Sequence, residues 1–179
     1  MALIVPIAGT TPSVPASAWV APNVTLVGAV TLGERASVFY GAVLRADVDS
    51  ITVGAGSNLQ DNVVVHCDAG KPTTIGANVS VGHAAVLHGC TIEDGVLIGM
   101  GATVLNLAVI GVGSLVAAGA VVLEGTVVPP GSLVAGVPAK VRRELTDDER
   151  AGIRENAARY LEYAEVHRGA DKNWKSPTA

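Results

Sequence analysis

Residues 92–134 read IEDGVL IGMGAT VLNLAV IGVGSL VAAGAV VLEGTV VPPGSL V, with an aliphatic residue opening every group of six. A half-buried strand repeats every two residues and a helix every 3.6, so a sustained period of six with glycines inside the groups fits neither alone. It fits a solenoid in which three short strands make one coil. Working back from Ile92, the same phase holds in three earlier blocks: Ile75, Val81, Leu87; Val53, Leu59, Val65; and Val20, Leu26, Leu32, Val38, Leu44. All nineteen phased positions are Val, Leu or Ile.

The fifth residue of most groups is small or slender (Ala36, Ala42, Ser57, Val79, Ala85, Ala102, Ser114, Ala120), and glycine often takes the second. Three groups therefore make one turn of a triangular prism, with the aliphatic residue inward and the small one fitting beside a corner. Aromatics are only 3% of the chain, which suits an interior too narrow for rings. The expected fold is an all-β solenoid, a parallel β-helix over residues 1–145. After it, Thr146 and Glu149 form a capping-box signature. Ile153, Ala157, Leu161 and Ala164 follow at helical spacing, so a helix is expected over 146–168, laid on one prism face. Arg168-Gly169 offers a stop, and 169–179 reads as a loose tail.

A chain of 179 residues supports one core, hence one domain with a tail. The formal net charge of -4, with no basic cluster in the repeats, argues against nucleic acid as a partner. Cys67 and Cys90 are too few for a disulfide framework and read as small buried or free thiols of a reducing compartment. No Lys or Arg precedes Arg35, so the charged start of a secretory signal is missing and a cytoplasmic location is expected. The apolar run Leu107–Leu123 is broken by Gly111, Gly113, Ser114 and Gly119 and is not a membrane helix.

The phase also places the histidines. Residues three groups apart lie on the same face one coil apart, about 4.8 Å. His66 is second in the Val65 group and His88 second in the Leu87 group, three groups later, so they stack closely enough to share a metal with ligand bonds of about 2.1 Å. His83, third in the Val81 group, falls on the preceding face. A symmetric trimer resolves this, since heterologous interfaces close a ring and each site takes His66 and His88 from one subunit and His83 from the next. Three neutral imidazoles with one open position make a catalytic zinc arrangement, and Fe or Co also suits them. Arg45 falls one coil before His66 and Asp61 one coil before His83, which predicts an Arg45–Asp61 ion pair across the interface, with Gln60 beside it. His167, in the helix, is expected to be exposed.

The runs Tyr40-Gly41-Ala42-Val43-Leu44-Arg45-Ala46-Asp47, Asn58-Leu59-Gln60-Asp61-Asn62 leading to His66, and Val81-Gly82-His83 through His88-Gly89-Cys90 resemble the γ-class carbonic anhydrase-like family of hexapeptide-repeat proteins. The resemblance covers about residues 10–145 and extends into the helix. It implies a left-handed β-helix, zinc on His66, His83 and His88, and acidified water attacking carbon dioxide to give bicarbonate. It further implies that Gln60 orients the attacking group, that Arg45 and Asp61 tie subunits together, and that Asp47 and Asn58 support them. Tyr160, one turn after Asn156, either approaches the pocket or packs in the helix core.

Two features depart from the family pattern. Active members carry a glutamate directly after the residue matched by Asp47 and another in a loop after the first histidine, both serving proton export. This chain has Val48 at the first place, and its short loop Cys67–Pro72 holds only Asp68 as a carboxylate. Metal-dependent thioester hydrolysis and a non-catalytic metal-stabilised trimer therefore stand beside carbon dioxide hydration. The closing run Val128-Pro129-Pro130-Gly131-Ser132 through Lys140 also occurs in hexapeptide acyltransferases, a further alternative.

Overall fold

The computed structural model describes residues 1–171 as a parallel β-helix followed by one α-helix. Each phased aliphatic residue sits on a strand, mostly a very short one, with its side chain inward. Eighteen of the nineteen are buried, and Val20, in the first coil, is partly covered. Strands Trp19–Val20, Ser37–Val38, Asn58–Leu59, Ser80–Val81, Leu97–Ile98, Leu115–Val116 and Ser132–Gly136 stack in parallel as one face, one strand per coil. A second face stacks Leu26, Leu44, Val65, Leu87, Val104 and Val122. A third stacks Leu32, Val53, Ile75, Ile92, Ile110 and Val128. Glycine's place in the second position is explained at Gly54, where an added Cβ would fall 2.4 Å from the Gly76 backbone one coil on.

The steps that break the six-residue phase, Leu44 to Val53, Val65 to Ile75 and Leu87 to Ile92, all fall at one corner, between the second and third faces. In the coil of Thr25–Leu32 and that of Val43–Val53, backbone pairing runs past this corner and joins the two faces into one sheet. The extra residues of the Leu44 to Val53 step stay within the strand Val43–Val53, with Ala46 and Ile51 buried, whereas those of the Val65 to Ile75 step leave as a surface turn closed between Asp68 and Lys71, where backbone polar groups meet water. Both ends of the stack are covered: Leu3–Val5 pairs with Thr25–Val27, and Ala139–Glu144 turns back antiparallel on Ser132–Gly136. Exposed sheet edges are thereby shortened.

Helix α1 (Asp147–Asp171) lies along the first face, against its earlier strands. Its own Ile153, Ala157 and Ala164 are buried. The rings excluded from the prism collect in this layer, where Trp19 and Phe39 are buried, with ring centroids 4.9 Å apart, and Tyr160 meets Phe39 edge-on at 5.4 Å. His167 joins them, its Nδ1 2.8 Å from the Tyr40 hydroxyl, so it is half-buried and not the exposed residue expected from its helical position. The cap forms as read: Thr146 Oγ1 accepts from the Glu149 N–H, and the Glu149 carboxylate accepts from the Thr146 N–H. The helix continues three residues beyond the stop read at Arg168, because one glycine in a last turn costs only about 1 kcal/mol and Arg168 donates to the carbonyls of Ala16 and Ser17. Residues 172–179 of the expected tail lie outside the described residues. Among those described, no helix is long and apolar enough to cross a membrane.

Candidate metal centre

His66 and His88 end two adjacent strands of the second face, Val64–His66 and Val86–His88, and stand directly in register. Inward Val65 and Leu87, both fully buried, fix the phase that sends the two imidazoles outward. Their backbones are tied by Thr73, a fully buried residue at the start of the next face. Its hydroxyl donates to the His66 carbonyl (2.6 Å) and accepts from the Gly89 N–H (2.8 Å).

The partners of the two rings determine which nitrogens carry protons. His66 Nε2 lies 3.0 Å from Asp47 Oδ1. The hydrogen bond from His66, then that from Arg45, hold the Asp47 carboxyl below its ordinary range. An ionised carboxylate only accepts, so Nε2 carries the proton and Nδ1 keeps its lone pair. His88 Nδ1 lies 2.8 Å from Asn106 Oδ1, which likewise only accepts, leaving the lone pair of His88 on Nε2. These two lone-pair nitrogens, His66 Nδ1 and His88 Nε2, face each other at 2.9 Å. Two acceptors at that distance repel unless a positive centre lies between them. Two nitrogens each about 2.1 Å from one tetrahedral ion stand about 3.4 Å apart, so a small opening of the pair accommodates a metal. Imidazoles with outer hydrogen bonds to carboxylate and amide are a donor set that suits a divalent transition metal.

Among the described residues, the group able to surround an ion is His66, Asp68 and His88, whose ligand atoms lie within 4.8 Å of one another. His83 is outside it, as its place on the preceding face predicts. Its Nδ1 pairs with Asp61 Oδ2 at 2.8 Å, which leaves its Nε2 as the lone-pair nitrogen, 3.5 Å from the Tyr160 hydroxyl. Tyr160 therefore approaches a candidate ligand and also packs on Phe39, and burial raises the pKa of its hydroxyl. Within one chain Arg45, which is exposed, pairs with Asp47, while Asp61 is taken by His83. Gln60 is buried and donates from Nε2 to Asn58 Oδ1 at 3.2 Å, and Asn58 in turn donates to Ser80 Oγ at 2.9 Å. Val48 is exposed on the strand Val43–Val53, beside Asp47. Cys67 and Cys90 are free and buried, and burial pushes the Cys90 thiol up to about 12.

Three residues at this centre escaped sequence reasoning: Asp68 as a member of the cluster, Asn106 behind His88, and Thr73 beneath both histidines. Their signal was in the phase breaks. All three irregular steps fall at the one corner that these residues line, and irregularity repeated at one corner marks a place where loops have been built.

A family model described as "Bacterial transferase hexapeptide (six repeats)" matches residues 72–106. A protein of Methanocaldococcus jannaschii described as "Probable carbonic anhydrase" is 55% identical over 82% of this chain and 92% of its own length. "Gamma carbonic anhydrase 2, mitochondrial" of Arabidopsis thaliana is 45% identical over 92% of this chain, which spans 61% of the plant protein. Among solved structures, a hexapeptide transferase family protein from Anaplasma phagocytophilum superposes with a TM-score of 0.89 at 42% identity, over 92% of this chain and 97% of the other. With that identity to the archaeal relative along nearly its whole length, and with the repeat and stacked histidines in place, this chain belongs to the γ-class carbonic anhydrase-like family of hexapeptide-repeat, left-handed β-helix proteins.

Proposed function

We propose that this protein is a zinc-dependent homotrimer of the cytoplasm that hydrates carbon dioxide reversibly to bicarbonate. The observation that carries the reading is the pair of lone-pair nitrogens, His66 Nδ1 and His88 Nε2, facing each other at 2.9 Å on the outer surface of the prism. His83 of a neighbouring subunit supplies the third imidazole, because its own fold leaves its Nε2 with a lone pair on another face. When bound, zinc supplies Lewis acidity that lowers the pKa of a water toward neutrality, and Fe or Co could take the same set.

The chain's own residues orient and hold. Asp47 and Asn106 keep a proton on the far nitrogen of His66 and His88, and Asp61 does the same for His83. Gln60, anchored through Nε2 on Asn58, keeps its carbonyl oxygen for the proton of the attacking group. Arg45 is exposed and free to turn from Asp47 to Asp61 of a neighbour on assembly. Proton export is the weak step. Val48 offers no acceptor, so buffer in the solvent carries the proton away.

Purified protein is assayed for bound metal, for mass in solution, and for carbon dioxide hydration with and without imidazole buffer. A trimer with about one zinc per chain and hydration that rises steeply with imidazole supports the proposal; no hydration at any buffer concentration overturns it. Acyl transfer is a second reading, favoured by the solved hexapeptide transferase family relative. Acetyl-CoA turnover that survives complete metal removal would establish that reading instead.

A further inference from the structure

We propose that Asn106, held by Asp68, is the positioning residue that fixes His88 as a metal ligand, an inference that rests on reading the His66–His88 pair as a metal centre. Asn106 is the third residue of the Val104 group, one coil beyond His88. Its amide bridges two partners: Nδ2 donates to Asp68 Oδ2 at 2.8 Å, and Oδ1 lies 2.8 Å from His88 Nδ1. The carboxylate settles the orientation of the amide, because it can only accept and so must face the NH2 group. Oδ1 then faces the imidazole, the proton stands on Nδ1, and the lone pair of His88 is directed from Nε2 toward His66.

The fold makes room for this amide at one place. Gly89, with φ of +56°, follows His88, and a Cβ there would fall 2.1 Å from Asn106 Oδ1. Thr73 already fixes the backbones of both histidines. What remains free is the rotation and the tautomer of the His88 ring, and Asn106 is the side chain that contacts its Nδ1. Asp68 Oδ1 also stands 3.9 Å from His88 Nε2, so one carboxylate anchors the amide and borders the ligand nitrogen. Outer partners of this kind set ligand basicity and orientation, and their loss typically costs about 10–100-fold in metal affinity.

The test uses the full-length protein, stripped of metal and titrated with Zn²⁺ against a chromophoric chelator, with the His88 ring nitrogens followed by ¹⁵N NMR in the metal-free state. Asn106→Leu keeps the volume and removes the acceptor. The expected results are zinc affinity weakened about 10–100-fold and loss of the signature of a proton held on Nδ1. The exchanged pair Asn106→Asp with Asp68→Asn reverses the bond between these two side chains but keeps an anchored acceptor facing His88 Nδ1, so it recovers the tautomer and most of the affinity. Asn106→Leu binding zinc within twofold of the wild type, with an unchanged ring signature, would overturn the proposal. So would an exchanged pair that folds and stays as weak as Asn106→Leu. If the wild type itself takes up no zinc, the metal reading fails by itself, and the ring signature of the metal-free proteins still decides the role of Asn106.

Discussion

The coils that carry Val104 to Val134 and those that carry Leu44 to Ile92 bury the same kind of side chain in the same parallel register. They differ at one corner. The later coils turn it in six-residue steps, and the earlier ones take nine, ten and five residues. Because the phased residues keep their pairing across this corner, the segment between two of them can lengthen at small entropic cost, which grows only with the logarithm of its length. The regular coils thus give stability and a ruler, while the irregular corner gives Asp47, Asp68 and Thr73 places that the repeat does not define.

If function and stability are divided in this way, substitutions on the two sides have opposite signatures. The largest effect is expected from His88→Ala, which removes one of the two facing nitrogens. Bound zinc falls below detection by metal analysis and carbon dioxide hydration drops by at least about a thousandfold, while the melting temperature of the metal-free protein moves little. A His88→Ala protein retaining stoichiometric zinc would break the division. Ile110→Ala is the converse. Ile110 is fully buried in a regular coil, so the change costs about 2–5 kcal/mol in denaturant unfolding, while zinc per folded chain is unchanged. A loss of zinc without a loss of stability would show that the regular coils do more than support.

How much of this was legible in the sequence follows from the same contrast. The period of six gave the coil, the inward positions and the register of His66 with His88, since all of these depend on backbone spacing. The capping box gave the start of α1. The aromatic layer was legible only in part: Trp19 meets Phe39 and Tyr40 on neighbouring coils of one face, but Tyr160 and His167 join them only because α1 crosses that face, and no spacing within the repeat encodes this second set of contacts. Asn106 and Thr73 escaped for another reason. Thr73 acts from an irregular step, where counting groups no longer gives position; Asn106 sits in a regular group but its partner Asp68 does not, and each is a type of residue that also occurs as a neutral surface side chain.

Thr73→Val tests whether the corner couples stability to the site. Thr73 is fully buried and its hydroxyl links the His66 carbonyl to the Gly89 N–H, but Gly89 N also reaches the His66 carbonyl at 3.1 Å. Neither backbone group is therefore left without a partner, and the loss should sit near the low end for a buried hydrogen bond, about 1 kcal/mol in chemical denaturation. Zinc affinity weakens a few-fold as the two strands loosen. An unaltered affinity together with lowered stability would make Thr73 a core residue and move the boundary of the site.

The smallest effect belongs to a region outside both sets, the start of α1. The Arg143 guanidinium, followed by the Thr146 N–H, draws the Glu149 carboxyl down to about 2 from an ordinary 4.5. A group whose pKa is lowered by folding adds stability above its unfolded value, and loses that contribution as pH falls through the folded one. Glu149 contributes fully above about pH 4.5, and its contribution fades between there and about pH 2. Because the pair lies at the surface and is partly open to solvent, salt and side-chain entropy keep the effect small. The difference in melting temperature between wild type and Glu149→Gln should be constant above pH 5.5, shrink as acid is added below pH 4.5, and diminish at high ionic strength. A difference that stays constant down to pH 2 would mean that the cap holds by its hydrogen bonds alone. Zinc binding at neutral pH should be identical in the two proteins, since α1 begins against Gly131 of the last coil, whereas the histidines stand on earlier coils.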